Sequence, residues 1–321
     1  MSALTSSAAA TPGLLVNLPT FAATDPGGWP HVFDVARAAD EAGVDGLTVS
    51  DHVVFGENLE AYGRPELGGA EGGRQPTGPD GLWLEPLTVL TAVAAVTSRV
   101  RLATNILLAA LRRPVVLAKT AATLDVLSGG RLDLGVGVGW QREEYEAAGL
   151  DFNDRGRLLD HTLAVCEALW RDSPASFDGD GLHFERIHAM PKPVQPGGLP
   201  IWVSGTINRR VLQRIARFGS GWIPWGSDAT DPLPAIPQVH EALASAGRDP
   251  SGFLIRGRLA FARGADGQPD LARSMDAVPA MVAAGITHFA AGVAIPSDRQ
   301  AATDFLTEVV TAFREAVGRP V

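Results

Sequence analysis

Four short stretches hold the residues best suited to chemistry. In Thr48-Val49-Ser50-Asp51-His52 an apolar run closes on a hydroxyl, a carboxylate and an imidazole. A histidine with an ordinary pKa of about 6.5 exchanges a proton near neutral pH, which makes His52 a candidate acid or base. Asp51 either orients that ring or caps the next segment; the plainer reading of His52 is a bond to the loop backbone. Ala103-Thr104-Asn105-Ile106-Leu107-Leu108 sets a polar pair inside an apolar strand. Asparagine tolerates unusual backbone angles, so a bulge beside a site is one reading and a water-capped strand end the other. Gly135-Val136-Gly137-Val138-Gly139-Trp140 alternates glycines, which strips one strand face and lets a flat ligand or another backbone approach. Its G-x-G-x-G spacing is not the dinucleotide fingerprint. Ser204-Gly205-Thr206 precedes Asn208-Arg209-Arg210 at a predicted helix start. Free N–H groups, hydroxyls and two cations there suit a phosphate, against an ordinary Ser/Thr cap.

Other chemistries are not written in the chain. No two histidines stand at metal-ligand spacing: His240-Glu241 meets alanine at position 244, so no metal site is predicted. There is no G-x-S-x-G elbow and no Walker A loop. Glu143 and Glu144 are neighbours, so on a helix they point in different directions and form no carboxylate dyad. The single cysteine, Cys166, lies in an apolar helical run and reads as a small core residue.

The elements that position these strand ends follow from a recurring junction. An Ala-rich amphipathic run ends in Gly or Ser-Gly, and a short β-branched run follows, as in VARAADEAG–VDGLTVS and AKTAATLDVLSGG–RLDLGVGVG. The glycine suits a helix C-cap, and Val32, Val35, Ala36 and Ala39 share one helix face. The short apolar runs suit parallel strands covered on both faces. Eight strands are predicted: 14–19, 46–50, 100–108, 132–138, 200–204, 221–224, 253–262 and 287–293. Eight βα units point to an α/β fold, a closed (β/α)8 TIM barrel, with an open doubly wound sheet as the competing topology. Two stretches break the repeat. Residues 53–85 follow strand 2 and read as a lid over the site or as a surface excursion with its own plug (Leu82, Trp83, Leu84). Residues 171–199 precede strand 5. The expected organisation is a flexible tail over 1–12 and one barrel domain over 13–321.

The 321 residues are 45% hydrophobic and 20% charged, a globular balance with a net charge of −9. An acidic surface argues against nonspecific binding to nucleic acid or to anionic membranes, though local arginines can still hold an anionic ligand. One thiol cannot form an internal disulfide, so a reducing cytoplasm fits. The N-terminal segment has no basic-then-apolar leader pattern, and no apolar run is long enough to span a bilayer.

Taken together, TVSDHV, the block LATNILLAALRRPVVLAKTAATLDVLSGGRLDLGVGVGWQREEYEAAGLDF with RGRLLDH after it, and LPIWVSGT…RIARFGSGWIP resemble the bacterial luciferase-like superfamily of flavin- and deazaflavin-dependent oxidoreductases. The likeness is nearest to its actinobacterial coenzyme F420-dependent branch. The resemblance implies a ring stacked over a bulge at Thr104, Asn105 and Ile106, with a non-prolyl cis peptide at Asn105–Ile106. It implies His52 beside the ring's reactive face with Asp51 before it, Gly137, Val138 and Gly139 along the ring's edge, and Ser204, Gly205 and Thr206 at the phosphate. Arg112, Arg113, Arg209 and Arg210 are candidates for an acidic cofactor tail. Some deazaflavin dehydrogenases of this fold carry glutamate directly after strand 4, where this chain has Trp140, with Glu143 three residues on; the departure sets the sugar-phosphate dehydrogenase mechanism in question and leaves the proton donor open. The implied activity is hydride transfer between F420 and a small organic substrate. The alternative is an FMN-dependent monooxygenase fed by a separate reductase; a cofactor-free barrel hydrolase or lyase stands behind both. The family also implies a homodimer.

Overall fold

The computed structural model describes residues 11–320. The tail expected over 1–12 therefore lies, up to residue 10, outside the described residues. Eight parallel strands close into a barrel: β1 (Gly13–Asn17), β2 (Gly46–Val49), β3 (Arg101–Thr104), β4 (Leu132–Val136), β5 (Ile201–Gly205), β6 (Gly221–Pro224), β7 (Leu254–Ala260) and β8 (His288–Gly292). Each strand pairs with its neighbours in sequence, and β8 closes on β1 with Leu14 opposite Phe289. The closed-barrel expectation holds, and the open sheet is excluded.

Helices cover the outside: α1 (Pro30–Ala42), α2 (Pro86–Ala94), α3 (Pro114–Ser128), α4 (Arg142–Ala147), α5 (Arg155–Arg171), α6 (Arg209–Phe218), α7 (Ile236–Ser245), α8 (Val278–Ala283) and α9 (Arg299–Ala316). Helix α1 shows why they form where they do. Proline at its first turn suits the helix start, and Gly43 closes it in the left-handed region at φ 83°. Val32, Val35, Ala36 and Ala39 are its buried face, as their spacing predicts. Cys166 is buried in α5, where burial pushes its thiol pKa up and keeps it protonated.

The predicted strands 3 and 4 are too long. β3 stops at Thr104 because the chain then changes partners: Asn105 N donates to Val49 O of β2 at 2.7 Å, while Leu107 N donates to Gly135 O of β4 at 2.7 Å. The intervening Asn105–Ile106 peptide is cis. The apolar letters of Ile106-Leu107-Leu108 continue through this crossing and conceal the break.

The two insertions lie apart. Residues 53–85 fold as two 3-10 turns and a short strand, Leu82–Trp83, that pairs with Phe21–Ala22 after β1. Residues 171–199 contain a hairpin, Ala175–Gly179 with Leu182–Ile187, packed on α5. No helix among the described residues is long and apolar enough to cross a membrane.

Candidate active site

A cleft of about 590 Å³ opens at the carboxyl ends of the strands, bounded by β1 to β6, β8 and the 53–85 insertion. That is the end of a parallel barrel where loops converge and catalytic groups gather. The insertion contributes Tyr62, Pro65, Gln75 and Trp83 to its wall, while residues 171–199 contribute nothing.

His52 sits at the rim end of β2 with its side chain 10% exposed. Its Nδ1 lies 3.2 Å from Glu144 Oε2, and Val53 N donates to Glu144 Oε1 at 2.8 Å. A carboxylate only accepts, so the proton on the neutral ring is held at Nδ1 and Nε2 is left as the working nitrogen. Glu144 is 2% exposed and lies in the first turn of α4. The expectation that Asp51 orients His52 therefore gives way: Asp51 Oδ2 accepts from Leu108 N at 2.8 Å and Arg112 Nη1 at 2.6 Å, and Oδ1 from Arg112 Nη2 at 3.1 Å. Asp51 ties β2 to the segment after the bulge. Glu144 is the residue that sequence reasoning missed, discounted as half of a failed dyad when its partner lay 92 positions away.

The bulge forms the floor. Thr104 is buried, with Oγ1 donating to Gly135 O at 2.7 Å. Asn105 and Ile106 line the cleft. Arg256 of β7, buried at 5% exposure, donates from Nη1 to Asn105 Oδ1 at 2.8 Å and fixes that side chain from inside the barrel. Burial pulls its guanidinium down to about 10, against the opposing charge of Asp133. Gly137, Val138 and Gly139 line the cleft beside the floor. A Cβ at Gly137 would come within 2.8 Å of Ile106 Cδ1, so this glycine makes room for the bulge.

The opposite end is cationic. Ser204, Gly205 and Thr206 lead into α6, whose first turn is capped by Asn208 Oδ1 accepting from Arg210 N and Val211 N. Arg155, at the start of α5, lines the cleft there. Its Nε is buried without a partner among the described residues, and its guanidinium carbon lies 3.9 Å from the Phe152 ring centre. Burial lowers its pKa; Tyr145 opposes this, and the like charges of Arg142 and Arg210 add to it. An anion there would give the guanidinium a partner and offset the neighbouring positive charge. Of the four arginines that are candidates for an acidic tail, Arg112 is held by Asp51 and Glu85, and Arg113, Arg209 and Arg210 do not line the cleft. Arg155, which does line it, is a cation that sequence reasoning did not name. With Met in its place, phosphate-bearing ligands should bind roughly 10- to 100-fold more weakly by fluorescence titration, the worth of one charged hydrogen bond. Unchanged affinity would remove Arg155 from the anion site.

The insertion is fastened to this end. Trp225, just after β6, donates Nε1–H to Gly68 O at 2.9 Å, and its own carbonyl accepts from Thr206 Oγ1 at 2.8 Å. Among the described residues no cluster of three or more His, Cys, Asp or Glu is placed to hold a metal.

Residues 14–304 match the family pattern described as luciferase-like monooxygenase. An uncharacterised protein of Mycobacterium tuberculosis (strain ATCC 25618 / H37Rv) is 39% identical over 168 residues, 52% of this chain and 58% of that protein, so the match spans little more than half of the relative. The F420-dependent glucose-6-phosphate dehydrogenase of Nocardia farcinica is 30% identical over 253 residues, 75% of this chain and 67% of its own length. Among solved structures, an F420-dependent secondary alcohol dehydrogenase in complex with an F420-acetone adduct superposes with a TM-score of 0.73 at 20% identity, over 95% of this chain and 99% of that one.

Proposed function

This chain belongs to the luciferase-like monooxygenase family, and from that premise we propose that it is a cytoplasmic oxidoreductase that binds coenzyme F420 and exchanges a hydride with a small organic substrate. One observation carries the reading: a single cleft joins a proton-carrying His52–Glu144 pair to an anion-seeking end at Arg155, across a floor made by the Asn105–Ile106 bulge. The volume suits a ring cofactor with a substrate beside it. The orphaned Arg155 Nε fits a phosphate-bearing group, with Ser204, Gly205 and Thr206 as its neighbours. When bound, the deazaflavin supplies or accepts the hydride at its C5 position. Asn105 and Ile106 would support the ring, and Gly137 to Gly139 would border it; all five line the cleft. His52 Nε2 gives or takes the proton at the substrate, and Glu144 keeps the imidazole in the right tautomer and steadies its charged form. Tyr62 and Trp83 of the insertion line the cleft and present aromatic faces to it.

Titration of the purified chain with F420 and, separately, with FMN tests this reading through ligand fluorescence. Saturable binding of F420 supports it. Binding of FMN without F420 overturns it in favour of a flavin monooxygenase that needs a reductase, and binding of neither removes the redox function.

The dimer is part of the same proposal. The outward face of α3 exposes Val115, Val116, Val126 and Leu127, with Val116 and Leu127 each 63% exposed. Two apolar pairs at the ends of one exposed helix face, with Lys119, Thr120 and Thr123 between them, are suited to burial against a second copy. Val116→Asp with Leu127→Asp is expected to halve the mass seen by light scattering; an unchanged mass would show that the subunits meet elsewhere.

A further inference from the structure

The part of the cleft facing His52 is walled by aromatic rings. Trp140 meets His52 edge-on at 5.8 Å between ring centres and Tyr62 at 5.4 Å. Trp83 meets His52 at 4.9 Å, and Phe21 stacks on Trp83 at 4.3 Å. The indole N–H groups of these walls are differently spent. Trp83 donates to Thr77 Oγ1 and Trp225 to Gly68 O. Trp140 is 4% exposed, lines the cleft, and leaves its Nε1–H buried without a partner among the described residues. Trp202 shares that lack, but it lies within the barrel and does not reach the cleft. A buried donor left unpaired is costly, and a ligand acceptor removes the cost.

Charge points the same way. The cations that line the cleft, Arg155 and Arg214, stand at the α6 end, where Arg214 is already bound to Asp160. Arg258, exposed on β7, acts on Tyr62 without lining the cleft. Beside His52 the lining carboxylate is Asp51, already paired with Arg112; the other lining carboxylate, Glu66, belongs to the insertion. A substrate phosphate beside His52 would find aromatic faces and, among the described residues, no free cation lining the wall.

Resting on the redox reading of the cleft, we infer that the substrate is a neutral carbonyl compound, or the matching alcohol, with a flat apolar body. Its oxygen sits between Trp140 Nε1–H and His52 Nε2, which makes Trp140 a specificity-determining residue. In the reducing direction the carbonyl carbon takes a hydride from reduced deazaflavin, the C=O π pair moves to oxygen, and that oxygen takes the proton from protonated His52. The products are the alcohol, oxidised deazaflavin and neutral His52; the oxidising direction reverses each transfer.

The test compares acetophenone with α-methylstyrene, which replaces the carbonyl oxygen by a methylene of similar shape. Binding is measured by calorimetry on the full chain, alone and saturated with oxidised F420, where no turnover occurs. Acetophenone should bind about tenfold more tightly than the alkene, the worth of a good neutral hydrogen bond. One indole N–H signal of the 15N-tryptophan-labelled chain should move downfield with the ketone alone. In Trp140→Phe that signal is absent and the ratio falls to about one. Equal binding of ketone and alkene by the wild type overturns the inference, as does tighter binding of glucose 6-phosphate than of acetophenone or a ratio that survives in the variant. Should Trp140→Phe fail to fold, the wild-type ratio and the indole shift decide. If neither F420 nor FMN binds, the cofactor reading fails, and the ketone–alkene ratio on the chain alone still decides this one.

Discussion

Replacing His52 with alanine is expected to lower kcat by about 10²- to 10⁴-fold, the usual contribution of a positioned general acid or base. The argument is geometric. Glu144 takes Nδ1 and so commits Nε2 to the cleft, and no other imidazole lines that space. The ring also packs on Phe55 at 4.3 Å and on Trp83, so its orientation is set on several sides. Removing it takes away the proton carrier and leaves the floor and the Arg155 end in place. F420 affinity should therefore change little while turnover collapses. Full turnover by the alanine variant would remove His52 from the mechanism; a matching loss of F420 affinity would recast it as a binding residue.

Gly135→Ala should be the most damaging small substitution near the cleft. A Cβ there would fall 2.1 Å from Thr104 O and 3.1 Å from Ile223 Cδ1. The first contact is with backbone, which cannot swing aside as a side chain tip can. The same glycine's carbonyl accepts from Thr104 Oγ1 and Leu107 N, both at 2.7 Å, so parting β3 from β4 also strains the bonds that close the bulge. Overpacking of a well-filled core costs about 1–3 kcal/mol and more when the backbone must move. We expect a loss at or above the upper end, read as a fall of several degrees in Tm, together with weakened F420 binding because the floor shifts. An unchanged Tm would show that the strands separate freely and that the glycine serves another purpose.

The fold was legible because parallel strands covered on both faces must be short, nearly unbroken apolar runs, and this chain separates them with helix-capping glycines and helix-opening prolines such as Pro30, Pro86 and Pro114. The lengths of strands 3 and 4 were not, since Leu107 and Leu108 are as apolar outside β3 as within it and remain fully buried after it ends. At the site, His52 and Asn105 stood out as polar letters interrupting apolar strands. Glu144, Arg155 and Trp140 did not. Their meaning lies in what they face: a histidine on another strand, an anion end shared with α6, and an indole N–H that no neighbour accepts. Local pattern reports which way a residue points from its own element, and is silent on what waits there.

Trp225 has a practical consequence for anyone who would redesign this protein. One residue ties Gly68 of the insertion to Thr206 beside α6, so the insertion and the cationic end of the cleft share a hinge pin. Grafting a foreign loop over residues 53–85 to alter substrate choice would cut that pin and unsettle cofactor affinity too. The loop is not an interchangeable module; a successful graft has to carry an acceptor for the Trp225 indole with it.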